Sequence, residues 1–155
     1  MPLRMDTPLP SLEGGTDWFN SPQPITNEDL KGHPVLIHYW SISCGICKES
    51  LPDVNRWVDQ FKEDGLKIVS VHMPRQESDT NVDAVKEAID EWEVKQPCVV
   101  DNWHEITNRF ENKYVPAYYL FDLEHKLRHF QAGEKAVKMV EPVIERVLKA
   151  QKVAD

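Results

Sequence analysis

The sequence has little cysteine, no cluster of basic residues and no long hydrophobic run. Three cysteines in 155 residues are too few, and of the wrong parity, for a secreted domain held together by disulfide bonds. Acidic residues outnumber basic ones by 26 to 18, giving a formal charge of −8, and no stripe of Lys and Arg is present to neutralise phosphates. Nucleic acid is therefore not expected as a partner. The longest apolar run, near residues 35–40, is far shorter than the roughly 18 residues of a membrane span.

The remaining composition is that of one folded domain. Hydrophobic residues make up 41% of the chain and charged residues 28%, and the length predicts a single domain over residues 1–155. Residues 1–10 lack the apolar segment of a secretory signal, so the chain as written is expected in the cytoplasm. A chain from which a signal or anchor had been removed would instead be extracytoplasmic.

The hydrophobic pattern predicts an α/β fold. Residues 34–40 form a short, almost continuously apolar segment, typical of a strand buried on both faces in the middle of a sheet. Apolar side chains recur every three or four positions over residues 47–61, which predicts a helix, and residues 1–24 are expected to form an extended lead-in with a short strand near 17–19. Further strands are expected at 66–72, 96–101, 117–121 and 126–132, and further helices at 82–92 and 104–114. A last helix is expected whose apolar face runs from residue 140 to residue 148. Alternating strands and helices indicate a mixed central sheet with helices on both faces.

A C-x-x-C element, Cys44 to Cys47, lies between the buried strand and the first turn of the following helix. Free N–H groups and the positive end of the helix dipole stabilise a thiolate at that position, and the thiolate is the form that attacks disulfides. We therefore predict that Cys44 is the attacking thiol. Cys47, one turn inward and more buried, can resolve the mixed disulfide. Structural zinc is the main alternative, but no second C-x-x-C or Cys/His pair completes a set of four ligands.

This arrangement resembles the thioredoxin superfamily, and the resemblance implies a thioredoxin fold. It rests on residues 35–47, on Pro52 five residues after the second cysteine, on Val115 and Pro116 ahead of a strand, and on Gly133 after the last strand. The inserted helix and strand at 80–101, together with the lead-in, look most like the TlpA/ResA-like thiol-disulfide oxidoreductases. Peroxiredoxins share the insertion, but their pattern has a proline where Ile37 stands.

The chain departs from the family pattern at three positions around the cysteines. Ser43 stands where many relatives have Trp, and Ile46 stands where many have Pro. TlpA/ResA-like proteins often carry Glu at the position of Ser50, so a role for that carboxylate does not transfer to this chain. The resemblance therefore does not fix the reduction potential.

The resemblance also implies the surroundings of the cysteines. Pro116 is expected to follow a cis peptide bond and to face the pair, with Val115 and Ile46 in the same substrate-binding surface. Trp40 is expected to form a wall of the site, with simple core packing as the alternative. His38 stands where many thioredoxins have a buried aspartate that moves the proton of the second cysteine, and strand alternation places it on the face of Trp40. The alternative role for His38 is a core histidine bonded to a backbone carbonyl.

Other reactive side chains are expected to be structural. Cys98 lies in an apolar segment and is expected to be an inert buried thiol, with a regulatory or dimer-forming thiol as the alternative. Asp79 or Thr80 is expected to cap the helix at 82–92. No metal site is predicted, because the remaining histidines lack metal-ligand spacing. They are expected at the surface or at helix caps: His33, His72, His104, His125 and His129.

These features predict a thiol-disulfide oxidoreductase that exchanges the Cys44/Cys47 dithiol with disulfides of protein substrates, as a reductase, and that needs no bound cofactor. The expected partners are disulfide-containing proteins and an upstream thiol reductant, because cytosolic thiol pools are kept reduced. The alternative function is a thioredoxin-like binding module. Such a module would hold copper(I), which soft thiolates suit, or dock a partner without redox turnover.

Overall fold

Six strands and four helices make up the part of the chain that the computed structural model describes, residues 3–154, with side chains described for residues 3–151. The strands are β1 (Asp17–Phe19), β2 (Val35–Trp40), β3 (Lys67–His72), β4 (Cys98–Val100), β5 (Ala117–Phe121) and β6 (Leu127–Ala132). The helices are α1 (Gly45–Gln60), α2 (Val82–Glu91), α3 (Glu105–Phe110) and α4 (Ala136–Ala154). Single turns of 3-10 helix lie at Glu28–Leu30 and Glu77–Thr80.

The strands form one mixed sheet in the order β1-β4-β3-β2-β5-β6. β2 lies near the middle, where it pairs in parallel with β3 and antiparallel with β5. β4 continues the parallel part beyond β3, while β1 and β6 run antiparallel to their neighbours at the two edges. Every residue of β2 is buried, which confirms the strand predicted inside the sheet.

Side chains alternate along β2 between opposite faces of the sheet. Ile37 and Tyr39 pack with the lead-in and α3. Leu36 packs on the opposite face with α1 and α4, and Trp40 joins a cluster formed by the start of α1, by α2 and by β4. Helices therefore cover both faces of the sheet, as predicted. Among the described residues, no helix combines the length and the apolar character that crossing a membrane requires.

The lead-in is tied to the sheet by its own buried contacts. Leu9 and Leu12 are buried in the same cluster as α3. The side-chain amide of Asn27 donates to the carbonyls of Leu9 and Pro10, and its oxygen accepts from the N–H of Leu12. Since β1 then pairs with β4, the lead-in both covers one face of the sheet and extends its edge.

Three details differ from the sequence prediction. β4 is only three residues long. α3 ends at Phe110, because Glu111 adopts a left-handed backbone conformation with φ of 52°. The cap of α2 is Asn81, whose side chain accepts a backbone hydrogen bond from the first turn, and not Asp79 or Thr80. The capping prediction was wrong because a residue nearer to the helix performs this role.

The apolar face of α4 is expected to contribute measurably to stability. Ile144→Ala should lower the free energy of unfolding by about 3 kcal/mol, because Ile144 is fully buried against α1 and the sheet. Met139→Ala on the same helix is the control, since Met139 is 54% exposed, and should change stability by less than about 0.5 kcal/mol. Urea unfolding followed by tryptophan fluorescence measures both values. Equal losses in the two variants would contradict the assigned core.

Candidate active site

Cys44 lies where the chain passes from β2 into α1. A loop of residues 41–43 leads from the strand to Cys44, which caps the helix: its Sγ accepts a hydrogen bond from the backbone N–H of Cys47 at 3.1 Å. The two sulfurs form a disulfide bond, with Cα atoms 5.2 Å apart. The predicted position of the pair at the first turn of a helix is confirmed.

The two cysteines differ in exposure. Cys44 retains 5% of its surface, whereas Cys47 is completely buried and packs in the cluster that contains Leu51. Gly45 and Ile46, between them, are exposed. The N–H of Cys47 and the positive end of α1 both face Sγ of Cys44, an environment that favours a thiolate once the disulfide is reduced. The arrangement is suited to one accessible nucleophile with a second thiol behind it.

Val115 and Pro116 lie beside the cysteine pair. The peptide bond between them is cis, as predicted. The carbonyl oxygen of Val115 lies 3.9 Å from Sγ of Cys44. Ile46, between the cysteines, and Tyr114, which precedes Val115, expose 38% and 56% of their surface. Exposed apolar side chains and backbone next to a reactive sulfur form a surface that an extended peptide can contact.

Trp40 lies behind the cysteines in the core. It is fully buried, its ring meets that of His72 edge to face at 5.1 Å, and its indole N–H donates to Sγ of Cys98 at 3.4 Å. Trp40 therefore has the core-packing role of the alternative interpretation, since it has no surface that a substrate could touch. Burial raises the pKa of the Cys98 thiol to about 12, which agrees with the inert thiol predicted there.

His38 lies in the core beside Tyr118, with ring centroids 5.2 Å apart. Its Nδ1 bonds to the hydroxyl of Ser70 at 2.8 Å, and that hydroxyl accepts a second bond from the side-chain amide of Gln96 at 2.8 Å. The partner of His38 is thus a side chain, and not the backbone carbonyl of the alternative role. Burial lowers the pKa of His38 to about 3, so the ring is neutral near pH 7.

A buried carboxylate holds the loop that precedes Cys44. Asp79 is 1% exposed, and its Oδ2 accepts hydrogen bonds from the hydroxyls of Ser41 and Ser43 at 2.9 and 2.7 Å. The backbone N–H of Arg75 donates to the same oxygen at 2.9 Å. Burial alone would raise the pKa of Asp79, but these hydrogen bonds and the nearby ring of His72 outweigh it and lower the pKa. The carboxylate is therefore charged at neutral pH.

His72 supports the loop from the end of β3. It is fully buried, and its Nε2 accepts a hydrogen bond from the backbone N–H of Ile42 at 3.1 Å, which places the ring proton on Nδ1. Burial lowers the pKa of His72 to about 4, although the charge of Asp79 acts in the opposite direction. The prediction of a surface or capping position for His72 was wrong, because β3 is covered on both sides.

Sequence reasoning missed the group formed by Ser41, Arg75, Asp79 and His72. One general signal was available, since β2 and β3 are parallel neighbours and loops after parallel strands meet at one edge of a sheet. Nothing local marks the group, because Ser41 and Asp79 are 38 positions apart. The part of the chain with described side chains contains no group of three or more His, Cys, Asp or Glu residues that could hold a metal ion.

Comparisons with known proteins agree with this site. The family model described as the AhpC/TSA family matches residues 7–130. Over 147 residues the chain is 47% identical to Thiol-disulfide oxidoreductase YkuV of Bacillus subtilis, covering 94% of this chain and 97% of that protein. Thiol-disulfide oxidoreductase ResA of Bacillus cereus is 24% identical, over 79% of this chain and 68% of that protein. A solution structure of a thioredoxin-like protein in the oxidized form matches with a TM-score of 0.86 at 46% identity, covering 96% and 99% of the two chains.

Fold and site define a thiol-disulfide oxidoreductase with a thioredoxin fold. The chain belongs to the AhpC/TSA family and, within the thioredoxin superfamily, is a TlpA/ResA-like protein. The predicted fold and enzyme class are confirmed. The alternative of a copper(I)-holding or docking module is not favoured, because the relative that matches nearly the whole chain is named an oxidoreductase. Membership of the thiol-disulfide oxidoreductases implies that the substrates are proteins.

Asp79→Asn is expected to lower the free energy of unfolding by about 2 kcal/mol at neutral pH, because a charged acceptor of three hydrogen bonds is lost. The folded protein lowers the pKa of Asp79, so this contribution is present above the unfolded-state pKa, near 4, and disappears as the pH falls through the lower folded-state value. Urea unfolding between about pH 2 and pH 7 measures it.

The control for this prediction is Asp83→Asn, at an exposed position in the first turn of α2. It should change stability by less than about 0.5 kcal/mol at each pH. The difference between wild type and Asp79→Asn should shrink on acidification. A difference that stayed constant with pH would show that the charge of Asp79 does not stabilise the loop.

Proposed function

We propose that this protein reduces disulfide bonds in other proteins, with Cys44 as the nucleophile. The supporting observation is the asymmetry of the pair, in which Cys44 caps α1 and keeps some exposure while Cys47 is fully buried one turn behind it. The Cys44 thiolate attacks one sulfur of the substrate disulfide, and the other substrate sulfur leaves as a thiolate that takes up a proton. Cys47 then loses its proton and attacks Sγ of Cys44. This step releases the second substrate thiol and leaves the Cys44–Cys47 disulfide.

The proposed direction is reduction in the cytoplasm. Thiol pools in that compartment hold cysteines in the reduced form, which favours the dithiol as the resting state. Each turnover oxidises one Cys44/Cys47 dithiol and reduces one substrate disulfide. An upstream dithiol donor would then return two electrons and two protons to the pair.

The proposed substrate surface consists of Ile46, which is exposed, and Val115, which is half-buried, together with the backbone at Pro116, whose own side chain is buried. An extended substrate segment would lie along the backbone of Val115 and Pro116, the mode in which a peptide adds a strand to exposed backbone. The exposed side chain of Ile46 supplies apolar contact beside the nucleophile. A cleft of about 520 Å³ opens next to Ile46, between α1 and the start of α4, and gives room for side chains that flank the substrate cysteine.

We also propose that His38 assists the second step. Cys47 and Ser50 are buried residues of α1, and His38, which lies beside Tyr118, is buried in β2, the strand that precedes this helix. Nδ1 of His38 is hydrogen-bonded to the hydroxyl of Ser70, whereas Nε2 has no hydrogen-bond partner among the described residues. Because burial lowers the pKa of His38 to about 3, the ring is suited to guide the proton of Cys47 through a hydrogen bond and not to store it.

Cysteine variants test the order of attack. Cys44→Ser should abolish the acceleration that the protein gives to insulin reduction by dithiothreitol. Cys47→Ser, mixed with a disulfide substrate without dithiothreitol, should accumulate a covalent mixed disulfide that non-reducing electrophoresis and mass spectrometry detect. Cys98→Ala is the control and should retain activity, since Cys98 is buried behind Trp40. Faster alkylation of Cys47 than of Cys44 in the reduced wild type would reverse the two roles. Stoichiometric copper(I) binding without disulfide reduction would instead support the binding-module alternative.

If His38 takes part in the second step, His38→Leu should slow it about tenfold and change its pH profile, because the proposed acceptor for the Cys47 proton is lost. Stopped-flow mixing of the reduced protein with a chromogenic aromatic disulfide reports this step as release of the second aromatic thiolate. His38→Asn keeps a polar group and should be affected less. His129→Leu, at a half-buried histidine of β6, is the control. An unchanged pH dependence in folded His38→Leu protein would leave His38 with a packing role only.

A further inference from the structure

Arg75 lies on the surface beside the residue that precedes the nucleophile. Its Nε and Nη2 donate to the hydroxyl oxygen of Ser43 at 3.2 and 3.0 Å. Ser43 donates in turn to the buried carboxylate of Asp79, and the backbone N–H of Arg75 binds the same carboxylate oxygen. Both the backbone and the guanidinium of Arg75 are therefore fixed relative to the loop that carries Cys44.

Among the residues whose side chains are described, the guanidinium of Arg75 has no direct ionic partner. Among the described residues it forms no salt bridge, whereas Arg56 and Arg128 each pair with two carboxylates. Asp79 reaches the guanidinium only through the hydroxyl of Ser43. Nη1 of Arg75 makes no hydrogen bond with a described residue, so one edge of the guanidinium is available to a substrate. This positive charge contacts Ser43, the residue directly before the nucleophile, in a chain of formal charge −8.

The other charges at this end of the molecule largely cancel. His72 is neutral at pH 7, because burial lowers its pKa to about 4. Asp79 is charged and lies under the loop, where a negative charge disfavours a thiolate on Cys44. The remaining charged groups near the site are of both signs in equal number. The acidic ones are Glu49, Asp53, Glu77 and Glu134, and the basic ones are Lys48, Lys113, Lys135 and Lys138.

We propose that Arg75 supplies positive charge at the active site, where it offsets Asp79, stabilises the Cys44 thiolate and favours substrates that carry a carboxylate beside the disulfide. The last property follows because a guanidinium binds a carboxylate with charge-assisted, paired hydrogen bonds. This assignment rests on the proposed oxidoreductase function and names a substrate class for the same site.

Alkylation of Cys44 tests the charge directly. In the Cys47→Ser protein, iodoacetamide reports the thiolate fraction of Cys44, and the anionic reagent iodoacetate reports in addition the local positive potential. Arg75→Met should slow iodoacetamide about threefold at pH 7, and iodoacetate about tenfold, because both thiolate stabilisation and attraction of the reagent are lost. Arg75→Lys should restore most of the rate, and about 1 M potassium chloride should reduce the difference between Arg75→Met and its parent.

A matched variant separates this effect from a change in net charge. Lys62→Met removes one exposed positive charge beyond the far end of α1 and should leave both rates unchanged. Ser43→Ala keeps the guanidinium but removes its hydrogen-bond partner, and should fall between the parent and Arg75→Met. An iodoacetate-to-iodoacetamide ratio unchanged in folded Arg75→Met protein would overturn the proposal.

Matched peptide disulfides test the substrate class with the wild-type cysteine pair. Wild type should reduce a peptide with Asp beside the cysteine with a kcat/KM several times that of the Asn peptide, and Arg75→Met should lose the preference. Equal reduction of both peptides by wild type would refute the role of Arg75 and leave the oxidoreductase function intact. Failure to reduce either peptide would count against the oxidoreductase function itself.

Discussion

The position of Cys44 depends on the burial of β2, because the end of that strand determines where α1 begins. All six residues of β2 are buried, and the strand is paired along both edges. A one-residue shift in register would move its apolar side chains to the wrong faces of the sheet, so the strand has one favourable position. Only residues 41–43 separate β2 from the helix cap. The reactivity of the sulfur at the helix terminus therefore rests on hydrophobic packing several residues away from it.

Features encoded by neighbouring residues were predictable, and features assembled from distant segments were not. The periodicity of β2 and α1 and the C-x-x-C spacing located the strand, the helix and the cysteine pair, and the family resemblance supplied the cis peptide before Pro116. The role of Asp79 escaped prediction because its partner Ser43 is 36 positions away and approaches only when β2 pairs with β3. The burial of His72 was not predicted for a related reason. The alternation of side chains along a strand indicates which face of the sheet a side chain lies on, but not what covers that face.

Three neutral polar side chains are hydrogen-bonded to one another in the core, at the position where many thioredoxins have a buried carboxylate. His38 on β2, Ser70 on β3 and Gln96 just before β4 are all at most 1% exposed and are linked by hydrogen bonds. Buried polar groups cost free energy unless they are paired, and a buried charge costs more. A neutral imidazole lowers that cost, but its depressed pKa also makes it a weak base. A histidine at this position therefore lowers the cost of burial and would be only a weak acceptor in the proposed proton transfer from Cys47.

The small polar side chain of Ser43 makes the loop before the nucleophile possible. Many thioredoxin relatives have Trp at this position, and an indole ring can donate one hydrogen bond but accept none. The hydroxyl of Ser43 accepts from the guanidinium of Arg75 and donates to Asp79, so one atom links a surface cation to a buried anion. A serine also presents less apolar surface beside Cys44 than a tryptophan would, and Ile46, Tyr114 and Met139 are exposed apolar side chains in this region. If Arg75 has the proposed role, a serine at this position shifts substrate selection from shape toward charge. Recognition by charge is more sensitive to salt and to the substrate sequence than recognition by apolar area.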